Sequence, residues 1–216
     1  MESQKDDFTL DNYKRCLSLG LEKKYKFITL DDYFNKKFCL DRKYIILRHD
    51  IDTQLDIAIE MAQIESEMGI NSTYFIRLHS HAYNPLCVKD LRKILSIKKM
   101  GHEIGFHYES DFYFIINRDT KRSLSKEIDM LNYLLDIEIK TICPHEPTRT
   151  SQFLIDGLSF NQAYDKSILN DFKYISDSSC RWRDGSFYEN MNQDHNHLYV
   201  LTHPYWWYNQ TPIENY

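Results

Sequence analysis

The feature of this sequence that most constrains its fold is an alternation of short apolar runs with longer amphipathic segments. Residues 44–47 are Tyr-Ile-Ile-Leu, a run that predicts a buried strand. In the segment that follows, apolar residues from Ile57 to Met68 repeat every three or four positions, which predicts a helix that Gly69 can end in the left-handed conformation. A strand prediction is thus followed directly by a helix prediction.

The same alternation continues along the chain. Further strands are predicted at residues 72–78, 103–107, 139–143, 174–176 and 198–202, and further helices at 88–100 and 124–135. Strands that alternate with helices indicate parallel strands joined by right-handed helical crossovers. We therefore expect an α/β fold, either an open sheet or a barrel.

The length of 216 residues fits one domain. A chain of this size can close one sizeable hydrophobic core but not comfortably two. The polar N-terminal region predicts one helix, followed by a short second helix near residues 30–38. We expect an N-terminal helical segment, residues 1–43, packed on a main domain of residues 44–216.

Charge and hydropathy argue against nucleic-acid-binding and membrane-spanning proteins. The formal net charge is −5, and the basic residues form no block beyond short runs such as Lys98-Lys99. No apolar stretch approaches the roughly 18 residues of a membrane span, and residues 1–7 lack the features of a signal peptide. The five cysteines form no Cys-x-x-Cys pair, which favours free thiols. We expect a cytoplasmic protein that does not bind nucleic acid.

Polar or titratable residues follow each predicted strand at its carboxyl end. They are Asp50 and Asp52, His79 and His81, His107, His145, Asp177, and His203. Because the carboxyl ends of parallel strands meet on one side of the fold, these residues are expected to converge. Asp and His are also common in turns and helix caps, and Asp52 with Thr53 could simply cap the next helix. Recurrence after six strands favours a shared site.

An aspartate together with two histidines suits Zn²⁺ or a similar divalent ion. A water activated by such an ion loses its proton near neutral pH, and a nearby carboxylate can accept that proton during attack on a carbonyl. Asp50 and Asp52 lie two positions apart at a strand end, so one can bind metal while the other stays free. The pattern predicts metal-dependent hydrolysis.

Three motifs in the chain resemble those of a known family. They are Leu47-Arg48-His49-Asp50-Ile51-Asp52, Gly101-His102-Glu103-Ile104-Gly105-Phe106-His107 and Leu201-Thr202-His203-Pro204. Together they resemble the polysaccharide deacetylase family, the NodB-type carbohydrate esterases, over about residues 44–207. The resemblance implies a distorted (β/α) barrel of the polysaccharide deacetylase type, with about six or seven mostly parallel strands.

The resemblance also implies roles for individual residues. In the family the first motif supplies a base and a metal ligand, which by order are Asp50 and Asp52. The Gly-His-Glu-Ile-Gly segment leads to the first metal histidine, His107. The late Leu-x-His motif supplies the general acid, His203.

The chain departs from the family pattern in two places. The second metal histidine usually lies four residues after the first, and that position is Asp111 here. In place of an Arg-x-Pro-Tyr-like motif, the chain has Pro-His-Glu-Pro-Thr-Arg at residues 144–149. We infer that His145 completes an Asp-His-His set, with Asp111 as the competing ligand. The arginine that supports the base is Arg149, Arg48 or Arg183, and the sequence leaves the three open.

Two further residues are candidates for supporting roles. Asp177 can hold His203 in the orientation and charge state of an acid, or it can be an ordinary turn residue. Trp206 and Trp207 follow His203, and Trp206 is predicted to stack on a sugar ring, with burial in the closing layer as the alternative. His79 and His81 fit either a rim or a solvated loop.

We therefore expect removal of an N-acetyl group from a sugar, a small-molecule or lipid-linked precursor of a surface polysaccharide. The absent signal peptide favours such a precursor over an extracellular polymer. Two alternatives stay open: a metal-dependent amide or ester hydrolase, for example a deformylating one, and a non-catalytic carbohydrate-binding barrel.

Overall fold

The computed structural model describes residues 8–39, 41–193 and 195–215, and its centre is an eight-stranded sheet. The strand pairings within these residues are all parallel. The strands are β1 Lys26–Ile28, β2 Tyr44–Ile51, β3 Thr73–Ile76, β4 Glu103–Glu109, β5 Thr141–His145, β6 Asn161–Gln162, β7 Lys173–Ser176 and β8 His197–Thr202.

The strand order makes this sheet a distorted barrel. Along the path β6-β5-β4-β3-β2-β8-β7, the chain builds outward from β2 to β6 and then returns on the other side of β2. Within the described residues no pairing joins β6 to β7, so the barrel stays open there. The predicted (β/α) barrel is confirmed. Two short strands, β1 and β6, were not predicted, because three and two residues are too few to show a period.

The N-terminal region contributes more than the expected helices, because β1 joins the sheet. Residues Lys26 to Ile28 pair with the first half of β2, and β3 pairs with its second half. Since β8 occupies the opposite edge of β2, β1 and β3 lie end to end on one edge. The Leu30 N–H donates to Thr73 Oγ1 at 3.0 Å, across the junction.

Helices cover the outside of the sheet. The helix predicted from Ile57 onward ends near Gly69, which has a φ of 70°. No helix of the described ranges is long and apolar enough to cross a membrane, and the five cysteines are free thiols. The helices are α1 Leu10–Glu22, α2 Leu30–Phe34, α3 Leu55–Glu67, α4 Val88–Lys99, α5 Ser110–Ile115, α6 Thr120–Leu135, α7 Pro147–Thr150, α8 Lys166–Asp171 and α9 Phe187–Asn192, with 3₁₀ turns at Pro204–Trp206 and Pro212–Asn215.

Strand β2 is longer than predicted and separates two environments. It continues through Arg48, His49 and Asp50, which are all buried. Successive side chains of a strand face opposite sides. Accordingly, Arg48 and Asp50 contact each other inside the barrel, whereas His49 contacts Glu65 of the outer helix α3. The apolar run predicted a strand that ends before the charged residues. The strand instead continues through them and places Arg48 and Asp50 inside the barrel.

Candidate active site

Five of the predicted site residues meet at the carboxyl end of the barrel. Asp50, Asp52, His107, His145 and His203 all line one cavity of about 970 Å³. They come from β2, β4 and β5 and from the residues that directly follow β2 and β8. The parallel direction of the strands brings these sequence-distant residues together, as predicted.

The closest cluster in this cavity has the geometry of a metal site. Asp52 Oδ1 lies 3.3 Å from His107 Nε2 and 3.4 Å from His145 Nε2. For ligands 2.0 to 2.2 Å from a tetrahedral ion, neighbouring ligand atoms are about 3.4 Å apart. Asp52 Oδ1 is buried and has no hydrogen-bond partner among the described residues. A buried, unpartnered carboxylate oxygen facing two imidazole nitrogens fits a divalent cation.

Hydrogen bonds at the Nδ1 atoms of both histidines leave the Nε2 atoms free to bind a metal ion. His107 Nδ1 lies 3.1 Å from the carbonyl oxygen of Cys143, and His145 Nδ1 lies 3.1 Å from Glu109 Oε2. A carbonyl oxygen only accepts, so the proton of His107 is on Nδ1 and the lone pair of Nε2 faces the cluster. The ionised Glu109 carboxylate favours the same tautomer in His145.

Glu109 and Arg77 belong to the site although the sequence did not single them out. Arg77 donates to Glu109 and also, at 3.2 Å, to the backbone oxygen of Asp52. Burial alone would raise the pKa of Glu109, but His145 and Arg77 lower it to about 2. A signal was available, since Glu109 is two positions after His107 and must share its face of β4.

The competing ligand, Asp111, lies outside the cluster. Asp111 is on the short helix α5, and its carboxylate pairs with Arg149 Nη2 at 3.0 Å. The structure therefore brings His145, and not Asp111, to Asp52 and His107.

Of the three arginines that the sequence left open, Arg48 is the one that pairs with Asp50. Arg48 donates from Nε and Nη2 to the two oxygens of Asp50, at 2.8 and 2.7 Å, and both side chains are buried. Arg149 is half exposed and pairs with Asp111 and Glu146. The reason is the strand period, because residues 48 and 50 share one face of β2. Burial alone would raise the pKa of Asp50, but the charge of Arg48 keeps it low.

His203, which also lines the cavity, is held by Asp177. Its Nδ1 lies 2.6 Å from Asp177 Oδ1, and its backbone N–H contacts both carboxylate oxygens. Trp207 Nε1 donates to Asp177 Oδ2 at 2.9 Å. Burial would lower the pKa of His203, but the buried carboxylate of Asp177 raises it to about 9. Imidazolium at His203 is therefore the main form at neutral pH.

Of the remaining candidates, some line the cavity and others pack in the surrounding fold. Trp206 lines the cavity, whereas Trp207 is buried against Asp177. His79 is outside the cavity lining and contacts Glu127 Oε1 at 3.0 Å. The capping alternative for Asp52 does not hold, because α3 has Gln54 as its N-cap and no side-chain cap.

Comparison with known proteins gives a likeness of fold. No family model and no curated protein sequence matches the chain. Among solved structures, a family 4 carbohydrate esterase from Bacillus anthracis is 15% identical, with 87% of this chain and 76% of that chain covered and a TM-score of 0.49. The deacetylase PplD from Streptococcus pyogenes, in complex with acetate, is 14% identical, with 65% and 66% covered and a TM-score of 0.47.

A third similar structure is the peptidoglycan deacetylase PdaC from Bacillus subtilis. It is 13% identical, with 82% of this chain and 81% of that chain covered and a TM-score of 0.45. At such identities the likeness is one of fold alone.

Proposed function

We propose that this protein is a metal-dependent hydrolase that removes an N-acetyl group from a sugar. The observation that carries the proposal is the buried Asp52 oxygen without a hydrogen bond, facing His107 Nε2 and His145 Nε2 at 3.3 and 3.4 Å. The proposed base and acid, Asp50 and His203, line the same cavity.

Asp52, His107 and His145 would hold the ion, and their oxygen and nitrogen donors favour Zn²⁺. When bound, such an ion polarises a carbonyl group and makes a water molecule more acidic. The protein contributes the orientation of the ligands. Cys143 and Glu109 fix the histidine tautomers, and Arg77 ties the Asp52 backbone to Glu109.

Asp50 is suited to accept the proton of the attacking water. Its carboxylate is ionised at neutral pH because Arg48 holds its pKa low. The two hydrogen bonds from Arg48 fix the carboxylate plane, and each oxygen keeps a lone pair for another donor.

His203 is suited to give a proton to the departing amine nitrogen. Its Nδ1 is bonded to Asp177, which leaves the Nε2–H as the available donor. With a pKa of about 9, the ring carries this proton at neutral pH. The base and the acid therefore hold complementary protonation states under the same conditions.

A sugar substrate is supported by the shape and the lining of the cavity. Phe153, Tyr164, Tyr174 and Trp206 supply aromatic faces around it. Aromatic rings offer flat apolar surfaces with polar edges, which suit sugar rings. A volume of about 970 Å³ is at the upper end of small-molecule sites, which fits a sugar bearing a nucleotide or lipid-phosphate group.

The experiment combines metal content with acetate release. Purified protein loaded with Zn²⁺ is assayed on N-acetylglucosamine, on its uridine diphosphate conjugate and on N-acetylated polymer. We expect Asp50→Asn to keep its metal and to lose about 10²- to 10⁴-fold in rate. Asp52→Asn should lose the metal itself.

A matched control is His81→Gln, which changes an exposed histidine beyond the cavity lining and should leave both readouts unchanged. Full acetate release by Asp50→Asn would remove Asp50 from the mechanism. Stoichiometric sugar binding without metal or turnover would favour a non-catalytic barrel.

A further inference from the structure

Three consecutive apolar side chains at the end of α5 are exposed to solvent. Phe114 is 86% exposed, Ile115 73% and Ile116 44%, and together we call them the apolar tip. Isolated apolar residues on a surface are ordinary, but contiguous ones mark an interaction site.

The tip side chains lie outside the hydrophobic core clusters, and backbone hydrogen bonds hold the turn that presents them. Asn117 has a φ of 50°, and the Arg118 N–H donates to the Tyr113 oxygen at 2.9 Å, which ends α5. The anchor of the turn is Tyr113, which is buried and donates to Glu127 Oε2 at 2.6 Å. The apolar tip therefore projects from a turn that Tyr113 anchors to α6.

Exposed cations directly follow the tip. They are Arg118, Lys121 and Arg122, which we call the basic flank. Lys121 and Arg122 lie in the first turn of α6, which contains no acidic residue, and the exposed N-cap Asp119 is the one acid among residues 118–122. Cations are unfavourable there because a helix N-terminus carries partial positive charge. The formal charge of the whole chain is −5, so this concentration of positive charge is local.

The tip is one short helix away from the candidate site. Helix α5 starts directly after Glu109, which contacts His145, and its six residues span about 9 Å. Asp111 on the same helix pairs with Arg149, which lines the cavity.

We propose that the apolar tip and the basic flank form a docking site for an anionic membrane surface. The three apolar side chains would enter the boundary between headgroups and acyl chains, and the cations would meet lipid phosphates. A second copy of the chain fits less well, because a symmetric dimer through the tip would bring the two basic flanks together. Docking would place the cavity near substrates carried by lipids.

The test is co-sedimentation of the full chain with vesicles. One set contains phosphatidylcholine alone, and the other contains equal parts phosphatidylcholine and phosphatidylglycerol. We expect binding to the anionic vesicles only, weakened by salt. The double variant Phe114→Ser/Ile115→Ser should lower the partition coefficient about tenfold or more, as should replacement of the three cations by glutamine.

Matched controls separate the patch from general surface effects. Tyr133→Ser removes an equally exposed ring from α6, and Lys14→Gln/Arg15→Gln/Lys24→Gln removes three exposed cations elsewhere. Both should bind vesicles like the unaltered chain, as should Asp52→Asn, so docking is tested separately from the reaction. Absence of binding to anionic vesicles, or equal binding by the tip variant, would overturn the proposal. So would a concentration-dependent dimer that the tip variant abolishes, without vesicle binding.

Discussion

Each histidine of the site has one ring nitrogen held by an acceptor, and the nature of that acceptor matches its proposed role. Glu109 shares its charge with Arg77, so it orients His145 without a net negative charge beside the ring. Asp177 instead accepts from neutral donors, the His203 backbone and the Trp207 indole, and its full charge acts on His203. The first arrangement suits a neutral ligand and the second a protonated acid.

The contact between Glu109 and His145 can be tested by metal affinity. Glu109→Gln keeps the shape of the side chain but removes the charge that favours the Nδ1 proton. We expect a 10- to 100-fold loss in Zn²⁺ affinity, measured by competition with a chelating dye. Asp111→Asn is the matched control, since it alters a neighbouring carboxylate that lies outside the cluster. Equal losses in both variants would contradict a specific role for Glu109.

The pair formed by Asp177 and His203 predicts a pH dependence. Activity that needs protonated His203 should fall as the pH rises through about 9. In Asp177→Asn the charge that raises the pKa is gone, so the falling limb should move to lower pH, toward the ordinary histidine value of about 6.5. The pH profile of kcat/KM measures this shift. A lower rate with an unmoved limb would mean that Asp177 acts only on structure.

At the scale of elements, strand periodicity explains both the successes and the failures of prediction from sequence. Apolar runs located β2 and β8, and their shared direction predicted where Asp50 and His203 would meet. Arg48 was left among three alternatives because its partner depends on which face of β2 it occupies. The apolar run ends at Leu47, so it did not indicate that the strand continues to Ile51. Tertiary contacts such as that between Arg77, which directly follows β3, and Glu109 of β4 join distant parts of the chain, and no local pattern encodes them.

Gly105 ties the packing of β4 to that of β3. A Cβ added at this position would lie 2.5 Å from Phe75 Cε1 and 3.0 Å from the backbone oxygen of Thr141. The Arg48 guanidinium lies over the Phe75 ring, with Arg48 Cζ 5.2 Å from the ring centroid. Phe75 therefore cannot move freely. We expect Gly105→Ala to lower the free energy of unfolding by about 1 to 3 kcal/mol, measured by urea denaturation. An unchanged unfolding midpoint would show that Phe75 has room to shift.

At the scale of the whole molecule, one buried carboxylate joins the helical layer to the sheet. Glu65 of α3 accepts from Tyr13 of α1 and, at 2.9 Å, from Tyr74 of β3. It also lies 2.9 Å from His49 Nε2 on β2. The N-terminal helix is therefore bonded into the same polar network as the strand that carries Asp50. Helix α1 and strand β1 are thus both bonded to elements of the main fold.

This network predicts how the stability of the chain depends on pH. Burial alone would raise the pKa of Glu65, but His49 lowers it below its ordinary value. The stabilisation is therefore complete above the unfolded-state pKa of about 4.3 and is lost as the pH falls through the lower folded value. We expect Glu65→Gln to lower the free energy of unfolding by about 1 to 3 kcal/mol at neutral pH, because it replaces the buried carboxylate that accepts from Tyr13 and Tyr74.

Urea denaturation at neutral and acid pH measures the difference in free energy of unfolding between the unaltered chain and Glu65→Gln. It should shrink as the pH falls below about 4, since the carboxylate of the unaltered chain then becomes protonated as well. Glu67→Gln on the same helix is the matched control, because that exposed side chain should change stability by less than about 0.5 kcal/mol. A penalty for Glu65→Gln that stays constant with pH would mean that shape and hydrogen bonds, rather than charge, hold the two layers together.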